Sequence, residues 1–182
     1  MVSRDEGRRL AQGKLARHLL ASGLGRTSLR ELAAAAGISD RMLLYYFADK
    51  ADALSAAVGV IAAELADQLA AAVPDGARLS ASALVAEAAA FTTGPAARPF
   101  MRLWIELVAA AARAEAPYPA LARQIAENFI AWTQARLDPA GHDDPQATAA
   151  AIVALIDGLA LVAVCADDDL VRRTATRLAS LI

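Results

Sequence analysis

A single cysteine, Cys165, and two histidines, His18 and His142, are the only thiol and imidazole groups among 182 residues. One thiol excludes an internal disulfide and any multi-cysteine metal site. Cys165 stands in an apolar run and reads as a buried thiol. His18 lies in the charged N-terminal third and His142 beside Gly141 in a polar stretch. Neither has a paired metal ligand, a phosphate loop or a nucleophile motif near it. The expectation is therefore no catalysis, no metal and no cofactor. Aromatic residues are also scarce, at 5% against 57% hydrophobic types overall. Ala, Leu and Val must carry the core. With few β-branched or aromatic runs and much Ala and Leu, the composition predicts an all-α chain. The N-terminus is charged and lacks an apolar core segment, so no secretory signal is expected and the cytoplasm is the expected location.

Net charge is −2, which by itself does not suggest an anionic partner. Its distribution does. Residues 1–52 carry nine basic against six acidic groups, a balance of +3, and the remainder carries −5. A basic head on an acidic body points to an anionic partner for the head alone.

Periodicity and punctuation predict about nine helices. The first spans 5–22 and is closed by Gly23. Ser28-Leu29-Arg30-Glu31 is a capping-box pattern opening a short second helix that ends near Gly37. Ser39 caps a third short helix through Phe47, and Asp49 caps a long fourth over 50–72. Helices over 80–92, 97–115 and 119–137 follow. Asp144-Pro145 opens one to about Ala166, and Asp167 to Asp169 start a last one with Leu170, Thr174, Leu178 and Leu181 on one face. The span 149–166 is long enough to cross a membrane and holds one charge, Asp157. Acidic flanks and the central Asp157-Gly158 argue against insertion. An all-round apolar helix is equally suited to burial between its own domain and a second subunit. A four-helix dimer interface is the expectation, with Ile152, Ile156, Asp157, Leu159, Val162, Leu170, Thr174 and Leu178 in it.

Residues 28–47, SLRELAAAAGISDRMLLYYF, hold the densest signal. Two short helices are joined through Gly37-Ile38-Ser39. Leu29, Leu32, Ala33, Ile38, Leu43 and Phe47 supply the internal apolar contact, and Ala33 and Ala36 are small enough for a close crossing. This is a helix-turn-helix that presents the start of its second helix outward. Ser39, Asp40, Arg41, Met42 and Tyr45 would then face the major groove of double-stranded DNA. Arg41 is suited to guanine O6 and N7 and Met42 to a thymine methyl. Thr27, Ser28, Arg30, Tyr45 and Lys50 are candidates for contacts on the DNA backbone.

From about Arg4 to Leu65 the chain resembles the DNA-binding domain of the TetR/AcrR family of regulators. The resemblance rests on Gly23, Thr27-Ser28-Leu29-Arg30-Glu31-Leu32-Ala33, Ala36-Gly37-Ile38-Ser39, Leu43, Tyr45-Tyr46-Phe47, Lys50 and Leu54. Ala154-Leu155-Ile156-Asp157-Gly158-Leu159-Ala160-Leu161 is similar to a run near the dimer interface of such proteins. The resemblance implies a three-helix DNA-binding domain over 4–64 and a helical ligand-binding and dimerisation domain over 65–182. It also implies a homodimer on a palindromic operator, acting as a repressor that a small molecule releases. Two positions depart from the family pattern. Leu44 replaces a customary tyrosine that reaches a phosphate, and Asp40 puts a negative charge near the DNA.

Phe91, Phe100, Trp104, Phe129 and Trp132 fall on three successive helices and are candidates for an apolar effector pocket, with Glu106 and Asn128 as polar groups to orient a largely apolar small molecule. Ordinary core packing accounts for any one of them equally well. The rival reading is a helical ligand-binding or interaction protein whose helix-turn-helix no longer binds DNA.

Overall fold

The computed structural model describes residues 3–180. Among them are nine α-helices and no strand. They are α1 (Arg4–Ser22), α2 (Leu29–Ala36), α3 (Asp40–Tyr46), α4 (Lys50–Ala72), α5 (Ala81–Thr93), α6 (Arg98–Ala112), α7 (Tyr118–Arg136), α8 (Pro145–Cys165) and α9 (Asp168–Ala179). The all-α expectation holds, and most boundaries fall within a residue or two of those read from the sequence. The main difference is at α6, expected to run to 115. Ala114 takes φ 57°, and the Glu115 N–H reaches back to the Ala110 carbonyl at 3.2 Å. That left-handed residue ends the helix three residues early. Leu181 lies outside the described residues.

The chain divides into two compact units. The first comprises the described residues up to Leu65 together with Arg102–Arg123; the second comprises Ala66–Met101 and the described residues from Gln124 onward. The first unit thus holds α1–α3 and most of α4, and adds the later part of α6 and the opening of α7.

In the first unit, α1, α2 and α3 pack on one another. Leu15, Leu19, Leu32, Leu43, Phe47 and Leu54 are almost wholly buried. The corners are set by local chemistry. Ser28 and Glu31 form a complete capping box at the start of α2. Gly37, at φ 70°, closes it, with its N–H on the Ala34 carbonyl and that of Ile38 on Ala33. Such a turn favours glycine because a side chain is strained at positive φ. Ser39 then caps α3 by accepting from the Met42 N–H at 3.2 Å.

In the second unit, α5 packs against both α8 and α9. One cluster joins Ala81, Leu84, Val85, Leu137 and Ile152. Another joins Ala89, Leu159 and Val171, with Ile156 and Leu178 against it. Arg136 ties the segment after α4 to the end of α7. Its guanidinium is buried, donates Nε–H to the Val73 carbonyl at 2.9 Å, pairs with Asp75 and lies 4.1 Å over the Trp132 ring. The Leu79 N–H donates to the Arg136 carbonyl at 2.9 Å, and the Asp138 N–H to Leu79 at 2.8 Å. Asp144 caps α8 ahead of Pro145, as the sequence suggests.

Two described helices, α4 and α8, are long and apolar enough to cross a membrane by length and composition, with mean hydropathies of 1.4 and 2.3. In α8 only 22% of the apolar window is buried within the chain.

Candidate nucleic-acid interface

The geometry of α3 follows from which of its residues the head can bury. Leu43 and, just past the helix, Phe47 point inward and are sealed. Asp40, Arg41, Met42, Leu44 and Tyr45 are left on the outside. Met42 and Tyr45 are 38% and 53% exposed, large values for such side chains in a small domain. Arg30, Arg41 and Lys50 are exposed and have no side-chain partner among the described residues. Three cations and an amphipathic tip are therefore available to an anionic partner.

The remaining candidates are placed differently. Thr27 is buried, and its hydroxyl donates to the Leu24 carbonyl at 3.0 Å. Ser28 is exposed, but its hydroxyl donates to the Glu31 carboxylate at 2.7 Å. That bond, together with the Ser28 N–H and the neighbouring Arg26, holds Glu31 below its ordinary carboxylate range. Ser39 is engaged as a cap. These three residues shape the corners, while Arg41, Met42 and Tyr45 are the ones presented.

Two arginines of α1 that no sequence pattern singles out brace α3. Arg8 pairs with both carboxylate oxygens of Asp52, at 3.3 and 3.1 Å, donates to the Tyr46 carbonyl and lies 4.7 Å over the Phe47 ring. Asp52 also accepts from the Ala48 N–H at 2.9 Å. Burial alone would raise its pKa; the bonds from Arg8 and Ala48 and the Arg8 charge outweigh that, and the net shift is downward. Arg4 donates to the Tyr45 carbonyl at 3.1 Å, with its guanidinium 5.0 Å over the Tyr45 ring. A positive charge thus sits directly on an outward aromatic. The Tyr46 ring is half-buried against Gly7, where a Cβ would overlap its hydroxyl. Tyr46 and Phe47 hold the corner into α4.

Residues 14–58 match the family described as bacterial regulatory proteins, tetR family. Residues 82–181 match the family described as BetI-type transcriptional repressor, C-terminal. The chain belongs to the TetR family. It is a DNA-binding transcriptional regulator. Solved structures agree in fold. A transcriptional regulator from Rhodococcus sp. Rha1 is 23% identical, with a TM-score of 0.72 over 96% of this chain and 95% of its own. A TetR transcription regulator from Haloarcula marismortui is 20% identical, with a TM-score of 0.72 over 97% and 95%. The multidrug binding protein EbrR, complexed with imidazole, is 26% identical, with a TM-score of 0.65 over 94% and 88%. No curated protein matches the chain.

In a regulator of this family the rest of the chain carries effector response and pairing, and here its candidates separate. Phe91, Phe129 and Trp132 are half-buried and Phe100 is buried. The Trp132 indole N–H is buried with no acceptor among the described residues. Asn128 is exposed and accepts from Gln124 at 3.0 Å. Trp104 is half-buried. Glu106 accepts from the Leu24 N–H at 2.6 Å, within the first unit. On α8, Ile152 and Leu159 belong to the interior of their own unit, packed with α5 residues. Ile156, Asp157, Thr174 and Leu178 are half-buried, and Val162 and Leu170 are exposed. Leu161, the last residue of the 154–161 run, and Val164, not singled out from the sequence, are more exposed still, at 54% and 69%. Cys165 is exposed too, which corrects the expectation of a buried thiol. It lies at the end of α8, beyond the stretch that α5 covers.

Proposed function

We propose that this protein is a cytoplasmic, non-catalytic repressor that binds a palindromic operator as a homodimer and is released by a small, largely apolar molecule. The observation that carries the proposal is the pairing of a bare apolar face with a presented recognition helix. The face includes Leu161, Val162 and Val164 at the end of α8, with Leu170 opening α9. Exposed apolar side chains of this size, close together in sequence on a chain of 18.9 kDa, fit a protein partner. A second copy meeting it through the same residues would make an isologous interface and supply two recognition helices. Two half-sites about one DNA turn apart would suit them.

On this reading Arg41 and Met42 read base edges, Tyr45 and Lys50 hold phosphates, and Arg4 adds charge beside Tyr45. Phe91, Phe100, Phe129 and Trp132 contact the effector in the second unit. The unmatched Trp132 N–H favours an effector with an acceptor oxygen or nitrogen on an apolar body. The complex of EbrR with imidazole supports a small-molecule effector here.

The test is sedimentation followed by DNA selection. The chain should sediment as a dimer at micromolar concentration. It should select a two-fold symmetric sequence from a random pool, and binding should weaken steeply with salt. A monomer that selects nothing would leave the helical interaction protein as the reading.

A further inference from the structure

Within the first unit, two side chains of α6 hold the corner between α1 and α2 from opposite electrostatic sides. Arg102 Nη2 donates to the carbonyls of Leu20 and Ala21, both at 3.1 Å. These belong to the last turn of α1, where carbonyls lack helical partners and the dipole favours a cation. One turn along α6, Glu106 accepts from the Leu24 N–H at 2.6 Å. Between the two lies Gly23, which ends α1 at φ 68°. A Cβ there would overlap the Glu106 carboxylate. Gly23 is thus required twice, for its backbone conformation and for the room it leaves Glu106.

The corner leads directly into the recognition motif. The Leu24 carbonyl takes the Thr27 hydroxyl, and Ser28 then caps α2. From the regulator reading above, we infer that Arg102 and Glu106 are positioning residues for DNA binding: they set the orientation of α2 and α3 by fixing the end of α1 and the first N–H beyond it. Neither touches DNA. Glu106 serves the head, and its carboxylate is not an effector ligand.

The experiment uses the full-length chain and the DNA it selects from a random pool, with a random-sequence duplex of equal length as control. Glu106→Ala and Arg102→Met should each lose roughly tenfold affinity for the selected DNA, the size expected for a charged hydrogen bond. Affinity for random DNA and the salt slope should match the parent, since no phosphate contact is removed. Glu106→Gln keeps an acceptor for the Leu24 N–H and should restore most of the loss. If Glu106→Ala loses helicity by circular dichroism, Arg102→Met, which keeps an aliphatic stem, must give the selective loss alone. Parental affinity for the selected DNA in both variants would overturn the inference. So would an equal loss on selected and random DNA, or a flatter salt slope. A parent that selects no DNA sinks the repressor reading instead, so the two failures are distinguishable.

Discussion

The outer face of α3 and the outer end of α8 both expose large apolar side chains, but their settings differ. On α3, the charged Asp40 and Arg41 immediately precede Met42, Leu44 and Tyr45, and a guanidinium lies over Tyr45. On α8, Leu161, Val162 and Val164 follow one another without a charge, and Leu170 opens α9 beyond. The first surface suits a polar groove lined by phosphates and base edges. The second suits only another apolar surface. Exposed hydrophobics are therefore informative through their neighbours rather than their number.

The largest effect should come from spoiling the second surface. Leu161→Glu places a charge where we propose a partner subunit sits, and should weaken dimerisation by at least ~100-fold. Sedimentation should then give a species of one chain's mass, still fully helical. A dimer unchanged by this substitution would break the contrast between the faces. Next is Arg41→Ala, which should cost about 1–3 kcal/mol on the selected DNA and relax preference at one base position. Competition with single-base variants of the selected DNA measures it. Leu44→Tyr should do the reverse in kind, tightening all sequences alike by a few-fold through a neutral phosphate contact, with the salt slope unchanged because no charge is added.

A smaller effect separates the face of α3 from its brace. Asp52→Asn should destabilise the head by about 1 kcal/mol, a figure discounted for the half-exposed Arg8 pair. The sign with pH follows from the direction of its shift. Folded Asp52 holds its proton less tightly than the unfolded chain does. Its contribution is thus complete above the ordinary carboxylate range and is lost as pH falls through that range towards the folded value. Urea midpoints at neutral and acid pH should converge between parent and Asp52→Asn as pH drops. The smallest change touches neither face. Ala114→Gly relieves a left-handed alanine at the end of α6 and should add about 0.5–1 kcal/mol, with DNA binding and dimerisation unaltered.

What could be read from the sequence was what is encoded locally. Ser28 with Glu31, Gly37, Ser39 and Asp144-Pro145 each signal a corner within four residues, and each forms as expected. The braces were hidden because they join distant positions. Arg8 and Asp52, Arg102 and Leu20, and Arg136 and Val73 carry no mutual spacing that marks them. The first unit draws on Arg102–Arg123 for the same reason. On α8 the difficulty was different. The helix is apolar all round, so its periodicity cannot say which side meets α5. The structure turns Ile152 and Leu159 to that side and leaves Leu161 and Val164 outside. Glu106 and Thr27 were legible as polar residues near a functional region, but their partners, Leu24 N–H and Leu24 carbonyl, meet only in three dimensions.

On the homodimer proposed above, the bare end of α8 has a genetic consequence. A copy with a ruined recognition helix but an intact α8 and α9 would still be accepted as a mate by normal copies. Mixed pairs would then hold one half-site instead of two. Mutations in the head should therefore be dominant in a cell carrying both alleles, while mutations that disable the seam should be recessive.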